Sequence, residues 1–568
     1  MTRLPGLLRL ELGRSLRDLR YLVLAIASPV AFYLLFAGIF SGRTGAGGLP
    51  AQVEIMVAMA VFGGMWGALS ATAPRLARDR DSGWLQGMRL TPFRPVELMA
   101  ARVLAGALIA LPALVCVGIT AALVQDVRLA PWQWLAGLGL VWAGTLPFVA
   151  LGIAIGATTG AATAYALTTA LYFGLAALGG LWVPPAQFSP TLRHVAMALP
   201  SYEVADLAWR VAGGSAPMLG DGLALLCWTA GLTALAVVLS GRRRRRRSSE
   251  ALGPSDEQAA VSMSAVSTSY GPLLALDHLD LRIERGATVA LLGPNGAGTS
   301  TAIAALLGQL ATGHGSAQLF GESPAKAVAE GWVGVMLQDG QLMDSVRVGT
   351  LVSVLRRAYR QPAGFQALVE AASISELLSR RTDRLSVGQA QRVRFALAAA
   401  GDPRLLVLDE PTVAMDVEAR AAFWEALQAQ TARGRTVIFS THYLEEADTH
   451  ADRIVVLRAG RVVADGTPEE IKAAAGVNRS VRFTTSGLDP GRFEDIPGVV
   501  AVQAHDSRIT LHTTDPDATI WALYDFRRAV HDLEITGGDL QEAFLALTVN
   551  RPGFCGDCSA LISHAAVA

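Results

Sequence analysis

The chain has 568 residues, a mean hydropathy of +0.37 and equal numbers of acidic and basic residues, 48 of each. This length is too great for one compact domain, and the zero formal net charge gives no reason to expect a nucleic-acid partner. Apolar residues make up 52% of the chain, but the long apolar runs lie within residues 1–240, whereas residues 250–550 have the mixture of a soluble domain. The composition therefore predicts a chain that is part membrane protein and part globular domain.

Six apolar stretches in the N-terminal part are each long enough to cross a bilayer, which takes roughly 20 residues. They lie near residues 21–41, 53–73, 98–123, 133–155, 162–183 and 219–240. Buried core helices are the alternative, but so many of them would leave no polar faces for a soluble surface. We therefore predict an all-α transmembrane domain over residues 1–240.

Arginines are concentrated on one side of this predicted domain. They occur before the first span, between the second and third spans, and after the sixth, where residues 242–247 are all Arg. In a six-span arrangement these segments share one side, and the positive-inside tendency makes that side cytoplasmic. The prediction is a multi-pass protein of the cell membrane, with both termini and the soluble part in the cytoplasm.

Two segments beside the predicted spans have an interfacial character. Residues 6–20 alternate Leu and Arg at helical spacing, which predicts a helix lying in the membrane interface with its Arg side chains toward headgroups. Residues 74–97 are polar and include Trp84. This segment has two interpretations of equal weight: a short helix that docks on the soluble part, or a solvated loop.

Residues 79–114 and 179–209 resemble the permease of type-2 ABC exporters, and the resemblance extends over the first 240 residues. That family includes antibiotic- and drug-resistance exporters and transporters of lipids and polysaccharides. The resemblance implies export of an amphipathic, drug-like or lipid-like molecule. The predicted spans contain no cluster of charged residues, which argues against a strongly charged cargo.

Residues 241–265 are predicted to be a linker, because the Arg run is followed by Ser, Gly and Pro without hydrophobic periodicity. A basic run just inside a membrane favours contact with anionic headgroups over nucleic acid.

Cys555 and Cys558 supply two ligands, whereas a closed zinc site takes about four. We interpret them as a reduced pair in a flexible tail, residues 550–568.

Residues 286–301 read GATVALLGPNGAGTST, an apolar strand followed by a Gly-rich turn and a helix. This is the context of a phosphate-binding loop, whose backbone amides and helix N-terminus face phosphate oxygens. The Ser300 hydroxyl is placed to bind Mg²⁺. The candidate nucleotide-binding residues here are Gly293, Pro294, Asn295, Gly296, Ala297, Gly298, Thr299, Ser300 and Thr301.

The loop departs from the pattern G-x-x-x-x-G-K-[ST] at one position, because Thr299 stands where Lys is expected. A Lys ammonium neutralises charge on the β- and γ-phosphates, whereas a threonine hydroxyl is uncharged and too short to reach them. We therefore expect ATP hydrolysis to be severely reduced and nucleotide binding to be reduced less.

Residues 405–410 form an apolar strand that ends in Asp409 and Glu410. At the end of a buried parallel strand, Asp409 is placed to hold Mg²⁺ and Glu410 to act as general base toward a water molecule. An apolar strand followed by two carboxylates is a weak signal alone, but its distance from a phosphate loop makes it specific.

Residues 266–471 resemble an ABC ATPase, with the family's motifs in order. The resemblance implies that Tyr270 stacks on adenine and that Gln338 contacts Mg²⁺ and the γ-phosphate. It implies that His442 is the switch histidine and that Asp416 lies in the loop joining two active sites. It also implies that Ser386, Gly388 and Gln389 of the signature motif bind ATP held by an opposite subunit. Each residue alone has an ordinary structural explanation, such as core packing for Tyr270 or capping for His442.

The signature has its own departure, because Val387 replaces the first glycine of LSGGQ. A β-branched residue restricts the backbone where phosphate must approach closely. The family works with two ATPase domains facing each other, which implies a homodimer or a pair with a related half-transporter. The cofactors implied are ATP and Mg²⁺.

The predicted organisation is multidomain. An all-α six-span membrane domain precedes an α/β P-loop ATPase domain over residues 266–475 and a small α/β accessory domain of ferredoxin-like kind over residues 480–549. Two functions stay open: an ATP-driven exporter of impaired turnover, and a catalytically degenerate subunit that binds nucleotide and regulates or completes a heterodimer.

Overall fold

A computed structural model of the chain describes residues 3–17, 23–40, 42–44, 48–215, 222–241, 258–310, 313–475, 479–485, 489–536 and 539–548. The chain divides into two compact units, one of residues 1–247, 329–331 and 339–402, and the other of the remaining residues. The predicted ATP-binding range 266–475 therefore contributes to both units. The Arg run 242–247 and the Cys555/Cys558 pair lie outside the described residues.

The first unit is helical. Its helices span Arg3–Ser15, Ser28–Ile39, Ala51–Asp81, Trp84–Met88, Pro95–Val124, Pro131–Ala143, Leu146–Thr158, Ala161–Leu178, Pro190–Met197, Pro200–Ala212, Leu223–Gly241, Val348–Arg356, Phe365–Ala371 and Val387–Ala398. The last three come from the predicted ATP-binding range.

Within the described residues, four helical stretches are long and apolar enough to cross a membrane: Ala51–Asp81, Pro95–Val124, Pro131–Thr158 and Ala161–Leu178. They coincide with the second to fifth predicted spans. Two shorter apolar helices, Ala25–Ile39 and Leu223–Leu239, lie within the first and sixth predicted spans. At the ends of these two spans, some residues lie outside the described part of the chain.

Small residues let the helices Ala51–Asp81 and Pro95–Val124 approach closely. A Cβ atom at Gly67 would lie 2.9 Å from the Ala110 Cα, so a larger residue there would separate the helix backbones. Beside this contact the core is aromatic, with the rings of Phe62 and Tyr172 stacked at a centroid distance of 4.4 Å.

A buried ion network ties three helices of this unit together. Asp79 is 2% exposed and accepts a hydrogen bond of 2.8 Å from the Arg14 guanidinium of the helix Arg3–Ser15. Its other carboxylate oxygen accepts from Arg102 of the helix Pro95–Val124. Arg102 also lies 3.4 Å from Glu11, so two arginines and two carboxylates balance in charge. Arg14 also lies 3.6 Å from Asp344. Such a network holds the three helices in one arrangement, because a buried charge that moved away from its partners would lose their compensation.

The segment that follows Asp81 docks within the first unit. The short helix Trp84–Met88 lies there, and Trp84 is buried. The Gln341 amide donates to the Ser82 carbonyl at 2.9 Å, so this segment contacts residues of the ATP-binding range. Of the two interpretations of residues 74–97, the structure therefore has the docked short helix.

The second unit is built on strands. They are β1 (Ala259–Tyr270), β2 (Leu273–Glu284), β3 (Thr288–Leu292), β4 (His314–Leu319), β5 (Val333–Met336), β6 (Leu405–Asp409), β7 (Thr436–Ser440), β8 (Arg453–Arg458), β9 (Arg461–Gly466), β10 (Arg479–Thr485), β11 (Val499–His505), β12 (Arg508–Thr513) and β13 (Val530–Thr536). The helices Thr299–Leu306, Pro324–Glu330, Val417–Thr431, Leu444–His450, Pro468–Ala474, Pro516–Leu523 and Leu540–Thr548 connect or cover them.

A six-stranded sheet of order β5-β6-β7-β3-β8-β9 forms the centre of this unit. Its strands are parallel except β9, which runs antiparallel to β8. All five residues of β3, of β6 and of β7 are buried, as expected for strands covered on both faces. A second, antiparallel sheet has the order β2-β1-β4.

The C-terminal residues form a third sheet, antiparallel and four-stranded, of order β11-β12-β10-β13. Its core is built from Val481, Phe483, Phe493, Ile509, Ile496, Leu511 and Leu523. The helices Pro516–Leu523 and Leu540–Thr548 belong to the same C-terminal residues, and the sheet has a hydrophobic cluster of its own.

We predict that Asp79→Asn lowers the free energy of unfolding by about 3–5 kcal/mol, because Arg14 and Arg102 would remain buried without their shared counter-charge. The measurement is thermal unfolding of the full chain in detergent. The matched control is Arg128→Ala, which removes an ion pair whose side chains are 84% and 76% exposed and should lower the stability far less, because water screens such a pair. Equal losses in the two variants would contradict a structural role for the buried network.

Candidate functional site

The phosphate-loop candidate follows a buried strand of the central sheet. β3 ends at Leu292, and the helix Thr299–Leu306 begins after the turn of residues 293–298. The Ala297 amide donates to the Pro294 carbonyl at 2.8 Å, which closes the turn. Pro294, Asn295 and Gly296 are exposed, whereas Ala297 is buried. The tip of the loop therefore faces outward while its base is packed into the unit.

Glycine is required at the end of this loop for two reasons. Gly298 has a φ of 103°, which L side chains rarely adopt, and a Cβ atom there would lie 2.7 Å from the Ala275 carbonyl oxygen. Gly296 also has a positive φ of 82°, but no heavy atom lies within 4 Å of its Cβ position. The loop thus combines a tightly packed base with open space at its tip, where a ligand can approach the backbone.

Thr299 is the first residue of the helix after the loop. Its hydroxyl oxygen lies 3.2 Å from the ideal Cβ position at Gly293, so the side chain is directed back toward the start of the loop. Residues 293–301 include no Lys, Arg or His. Ser300, the next residue, is exposed, and Thr301 is half-buried. The loop can therefore offer amides, hydroxyls and a helix N-terminus to a phosphate, but no side-chain cation of its own.

Parallel pairing brings the other candidates to the same edge of the sheet. β6 pairs with β7, β7 with β3 and β5 with β6, all parallel, so the carboxyl ends of these strands meet at one edge. The loop follows β3, Asp409 ends β6, and Gln338 follows β5 by two residues. Residues far apart in the sequence are thereby grouped on one side of the second unit.

Asp409 and Glu410 are held by the neighbouring strand. Asp409 is 6% exposed and accepts a hydrogen bond from the Ser440 hydroxyl. The Glu410 amide donates to the Ser440 carbonyl and hydroxyl oxygens, each at 3.1 Å. Glu410 has a positive φ of 49°, a conformation that costs free energy and is common at functional sites.

His442 and Glu410 meet in the structure. Their Nε2 and Oε1 atoms are 2.6 Å apart, and the Glu410 side chain is 13% exposed whereas His442 is 58% exposed. This contact positions the Glu410 carboxylate and leaves the imidazole accessible from solvent. Sequence analysis predicted both residues as catalytic, and the structure brings them together.

Sequence analysis missed the residues that hold this segment. Glu446 is 6% exposed and accepts hydrogen bonds from the Thr412 and Thr441 hydroxyls, at 2.7 and 2.8 Å. Because Thr412 follows the two carboxylates and Thr441 precedes His442, Glu446 ties the two segments to each other. Ser440 is the residue of this group that the sequence could have indicated, since a hydroxyl at the end of an apolar strand is well placed to donate a hydrogen bond to a carboxylate on the neighbouring strand.

The remaining candidates of the second unit lie in exposed or capping positions. Tyr270 ends β1 beside a tight turn and is 50% exposed, so its ring is available for stacking. Gln338 is exposed. The Asp416 carboxylate accepts from the Ala419 amide at 2.7 Å and caps the helix Val417–Thr431.

The signature candidates belong to the first unit and begin a helix. Ser386 caps the helix Val387–Ala398, and Ser386 and Gln389 exchange two hydrogen bonds between side chain and amide, each of 3.2 Å. Gly388 lies in the first turn. Val387 is 63% exposed and helical, so the backbone here needs no glycine. The cost of Val387 is therefore the bulk of its side chain at a helix N-terminus, not a strained backbone.

The three Mg²⁺ candidates, Ser300, Gln338 and Asp409, carry hydroxyl, amide and carboxylate oxygens. These are the hard ligands that Mg²⁺ prefers, and Mg²⁺ is usually held by one or two carboxylates together with substrate phosphates. The described residues contain no group of three or more His, Cys, Asp or Glu residues that could bind a metal alone. The donor set fits a metal that arrives with a nucleotide.

Comparison with known proteins finds two family matches. Residues 276–413 match the family described as ABC transporter. Residues 44–239 match the family described as ABC-2 family transporter protein. The first match covers the phosphate loop, Asp409 and Glu410 but not His442, and the second covers the four helical stretches that are long enough to cross a membrane.

Two curated relatives carry the description Nod factor export ATP-binding protein I. That of Rhizobium etli is 34% identical over 307 residues, which covers 52% of this chain and 96% of the relative. That of Rhizobium meliloti strain 1021 is 36% identical over 301 residues, which covers 51% of this chain and 88% of the relative. A solved structure described as the ATP binding subunit of ABC transporter is 26% identical, with a TM-score of 0.36 over 38% of this chain and 93% of that one.

We predict that Gly298→Ala destabilises the second unit by about 1–3 kcal/mol, because a methyl group would force both an unfavourable φ and a collision with the Ala275 carbonyl. Gly296→Ala is the matched control, since it meets only the unfavourable φ and no neighbouring atom. Thermal unfolding and binding of a fluorescent ATP analogue measure the two effects. If both variants behave alike, packing at the base of the loop does not constrain this site.

Proposed function

Since the chain belongs to the ABC transporter family and joins a permease region to an ATP-binding region, we propose that it is half of an ATP-driven exporter. The proposed complete transporter is a dimer, formed by two copies or with a related half-transporter. It moves an amphipathic, drug-like or lipid-like molecule out of the cytoplasm. Drug efflux and antibiotic resistance are the physiological roles that such a substrate supports.

The observation that carries this proposal is the grouping of a phosphate loop with Asp409, Glu410 and His442 in a chain that also has long apolar helices. A carboxylate in contact with a histidine at a sheet edge can orient and deprotonate a water molecule. ATP hydrolysis at such a site would drive conformational change in the apolar helices.

We propose the following roles for the site residues. The amides of residues 293–301 bind the phosphates, and the Tyr270 ring stacks on the base. Glu410 accepts a proton from the attacking water, and His442 holds the Glu410 carboxylate through the contact of 2.6 Å. Ser300, Gln338 and Asp409 hold Mg²⁺, which offsets the negative charge of the phosphates. Ser386, Gly388 and Gln389 of the partner complete the site, and Asp416 lies at the dimer contact.

A cavity in the first unit supports the proposed substrate class. It has a volume of about 300 Å³ and lies between the helices Ala51–Asp81, Pro95–Val124, Pro131–Ala143 and Pro200–Ala212. Gln133 is the polar side chain among the described residues that line it, and its amide already donates to the Val211 and Ala212 carbonyls. Such a lining favours an apolar group over a charged one.

We propose that all six apolar stretches span the cell membrane, with the ATP-binding part and both termini in the cytoplasm. The shorter helices Ala25–Ile39 and Leu223–Leu239 would be the first and sixth spans. Residues 480–549 are proposed to be a ferredoxin-like accessory domain, and the four-stranded sheet with its own core supports this assignment.

Thr299 favours a second candidate function. Because residues 293–301 include no cation, the charge of the β- and γ-phosphates is less well balanced than in a loop with Lys. A subunit of this kind would bind nucleotide without hydrolysing it, and would regulate or complete a heterodimer. The pairing of Glu410 with His442 favours the exporter, since a subunit that had lost its chemistry has no need of it.

We predict that the purified chain hydrolyses ATP slowly in lipid and that Thr299→Lys raises the rate by roughly 10²–10³-fold, as expected when a charge that stabilises the transition state is supplied. Adding Glu410→Gln to this variant should abolish the gain. Ala429→Lys is the matched control, because it adds the same charge at an exposed position of the helix Val417–Thr431, outside the site residues, and should leave the rate unchanged.

One outcome would refute the role assigned to Thr299, and another would overturn the exporter proposal. If the unaltered chain already turns over as fast as Thr299→Lys, the charge argument about Thr299 is wrong. If neither protein turns over although both bind ATP, the degenerate subunit becomes the supported function.

A further inference from the structure

A second site lies in the first unit and is strongly basic. A hollow of about 480 Å³ is lined by Arg17, Arg347, Ser379, Arg380, Arg381 and Arg384. We name it the arginine pocket. Its side chains come from three segments: the turn after the helix Arg3–Ser15, the residue that precedes the helix Val348–Arg356, and residues 379–384.

The backbone holds two of these segments side by side. The Val348 amide donates to the Arg380 carbonyl at 3.0 Å, and the Thr382 amide donates to the Val346 carbonyl at 2.9 Å. The buried Thr382 hydroxyl donates to the Met343 carbonyl at 2.6 Å. The arginines are therefore held together by a hydrogen-bonded frame and do not converge through side-chain rotation alone.

The same bonds identify which groups are available to a ligand. The first two amides of the helix Val348–Arg356 donate to the Arg380 and Leu378 carbonyls, at 3.0 and 2.9 Å. The helix N-terminus is thus already satisfied, and an incoming anion would be bound by guanidinium groups. Each guanidinium presents several donors in a planar fork that matches the oxygens of a phosphate.

The pocket has more positive than negative charge. Arg381 pairs with Asp383 at 2.9 Å and donates to Ser345 at the same distance. Among the described residues, no ion pair is found for Arg17, Arg347 or Arg380, and the charge of Arg384 acts on Asp383, which Arg381 already pairs with. Like charges at short distance repel, so an anion in the hollow would stabilise this arrangement.

The pKa of the Asp383 carboxyl group is lowered by this excess of positive charge. Burial alone would raise the pKa of its carboxyl group, but hydrogen bonds from Arg381 and from its own amide, with the charges of Arg381 and Arg384, hold that pKa below the ordinary value. The field at the edge of the pocket therefore favours negative charge.

The position of the pocket indicates the source of the anion. Arg17 is exposed and follows the helix Arg3–Ser15, which the sequence predicts to lie in the membrane interface with its Arg side chains toward headgroups. That prediction is wrong for Arg14, which is buried and paired with Asp79. This helix packs on the helix Val348–Arg356, since a Cβ atom at Gly6 would lie 3.1 Å from the Val354 Cγ1. The pocket thus opens where an interfacial helix meets residues of the ATP-binding range.

We propose that the arginine pocket binds the phosphate of an anionic membrane lipid. The ligand chemistry is a phosphate group, and the membrane is its source because Arg17 belongs to the predicted interfacial segment. This inference does not depend on transport or on ATP hydrolysis, so a failure of one proposal leaves the other standing.

The test is native mass spectrometry of the full chain in detergent, with phosphatidylglycerol or phosphatidylcholine of the same acyl chains added. We expect phosphatidylglycerol to be retained about tenfold more, because both lipids carry a phosphate but the choline cation of phosphatidylcholine would be repelled by the arginines. The double variant Arg380→Gln/Arg384→Gln should remove this preference. The control Arg357→Gln/Arg433→Gln lowers the net charge equally at two exposed positions outside the pocket and should keep it.

Three results would overturn the proposal. Equal retention of the two lipids would exclude headgroup recognition, and equal retention by both double variants would exclude this pocket. Displacement of phosphatidylglycerol by inorganic phosphate at the same concentration would make the free ion, not the lipid, the ligand. The melting temperatures of the variants should stay within about one degree of that of the unaltered chain, so that a loss of lipid binding cannot be attributed to unfolding. If the double variant unfolds, the single variant Arg347→Gln is used to repeat the test.

Discussion

The parallel pairing of β3, β7 and β6 is the constraint on which the candidate site depends. It brings the loop after β3 and the carboxylates after β6 to the same sheet edge, and it sets Asp409 opposite Ser440. From that register follow the hydrogen bonds from Ser440 to Asp409 and from Glu410 to Ser440. Because β6 and β7 are buried on both faces, a shift of one residue would exchange the side chains packed on the two faces, which makes the register costly to alter.

Charges are distributed unevenly along the chain, and three kinds of electrostatic site result. In the first unit, Asp79 is shared by two buried arginines, so charge is balanced where water is excluded. The arginine pocket is the opposite case, with an excess of cations at a surface where an anion can arrive. The phosphate loop is a third case, because it offers dipoles without a cation. A nucleotide bound there depends on Mg²⁺ and on backbone amides to a greater degree than in a loop that contains Lys.

The two departures from the family patterns, Val387 and Thr299, differ in their structural consequences. Val387 begins a helix in ordinary helical conformation, so the lost glycine costs no backbone strain there. Thr299 is different, since its hydroxyl is directed toward Gly293 and supplies nothing that replaces an ammonium group. Of the two departures, Thr299 is therefore the one expected to reduce ATP hydrolysis.

The sequence by itself determined the order of the two regions, the apolar helices and the residues of the phosphate loop, because hydropathy, Gly spacing and strand-ending carboxylates are local signals. The sequence identified Glu410 and His442 as candidates but not the contact between them, because the two residues follow different strands, β6 and β7. Tertiary structure alone decided that Glu446 ties Thr412 to Thr441, and that Arg14 and Arg102 share Asp79. It also decided that Arg17 lies beside Arg347 and Arg384. These groupings depend on which elements pack together over long sequence separations, and no local pattern of residues encodes that choice.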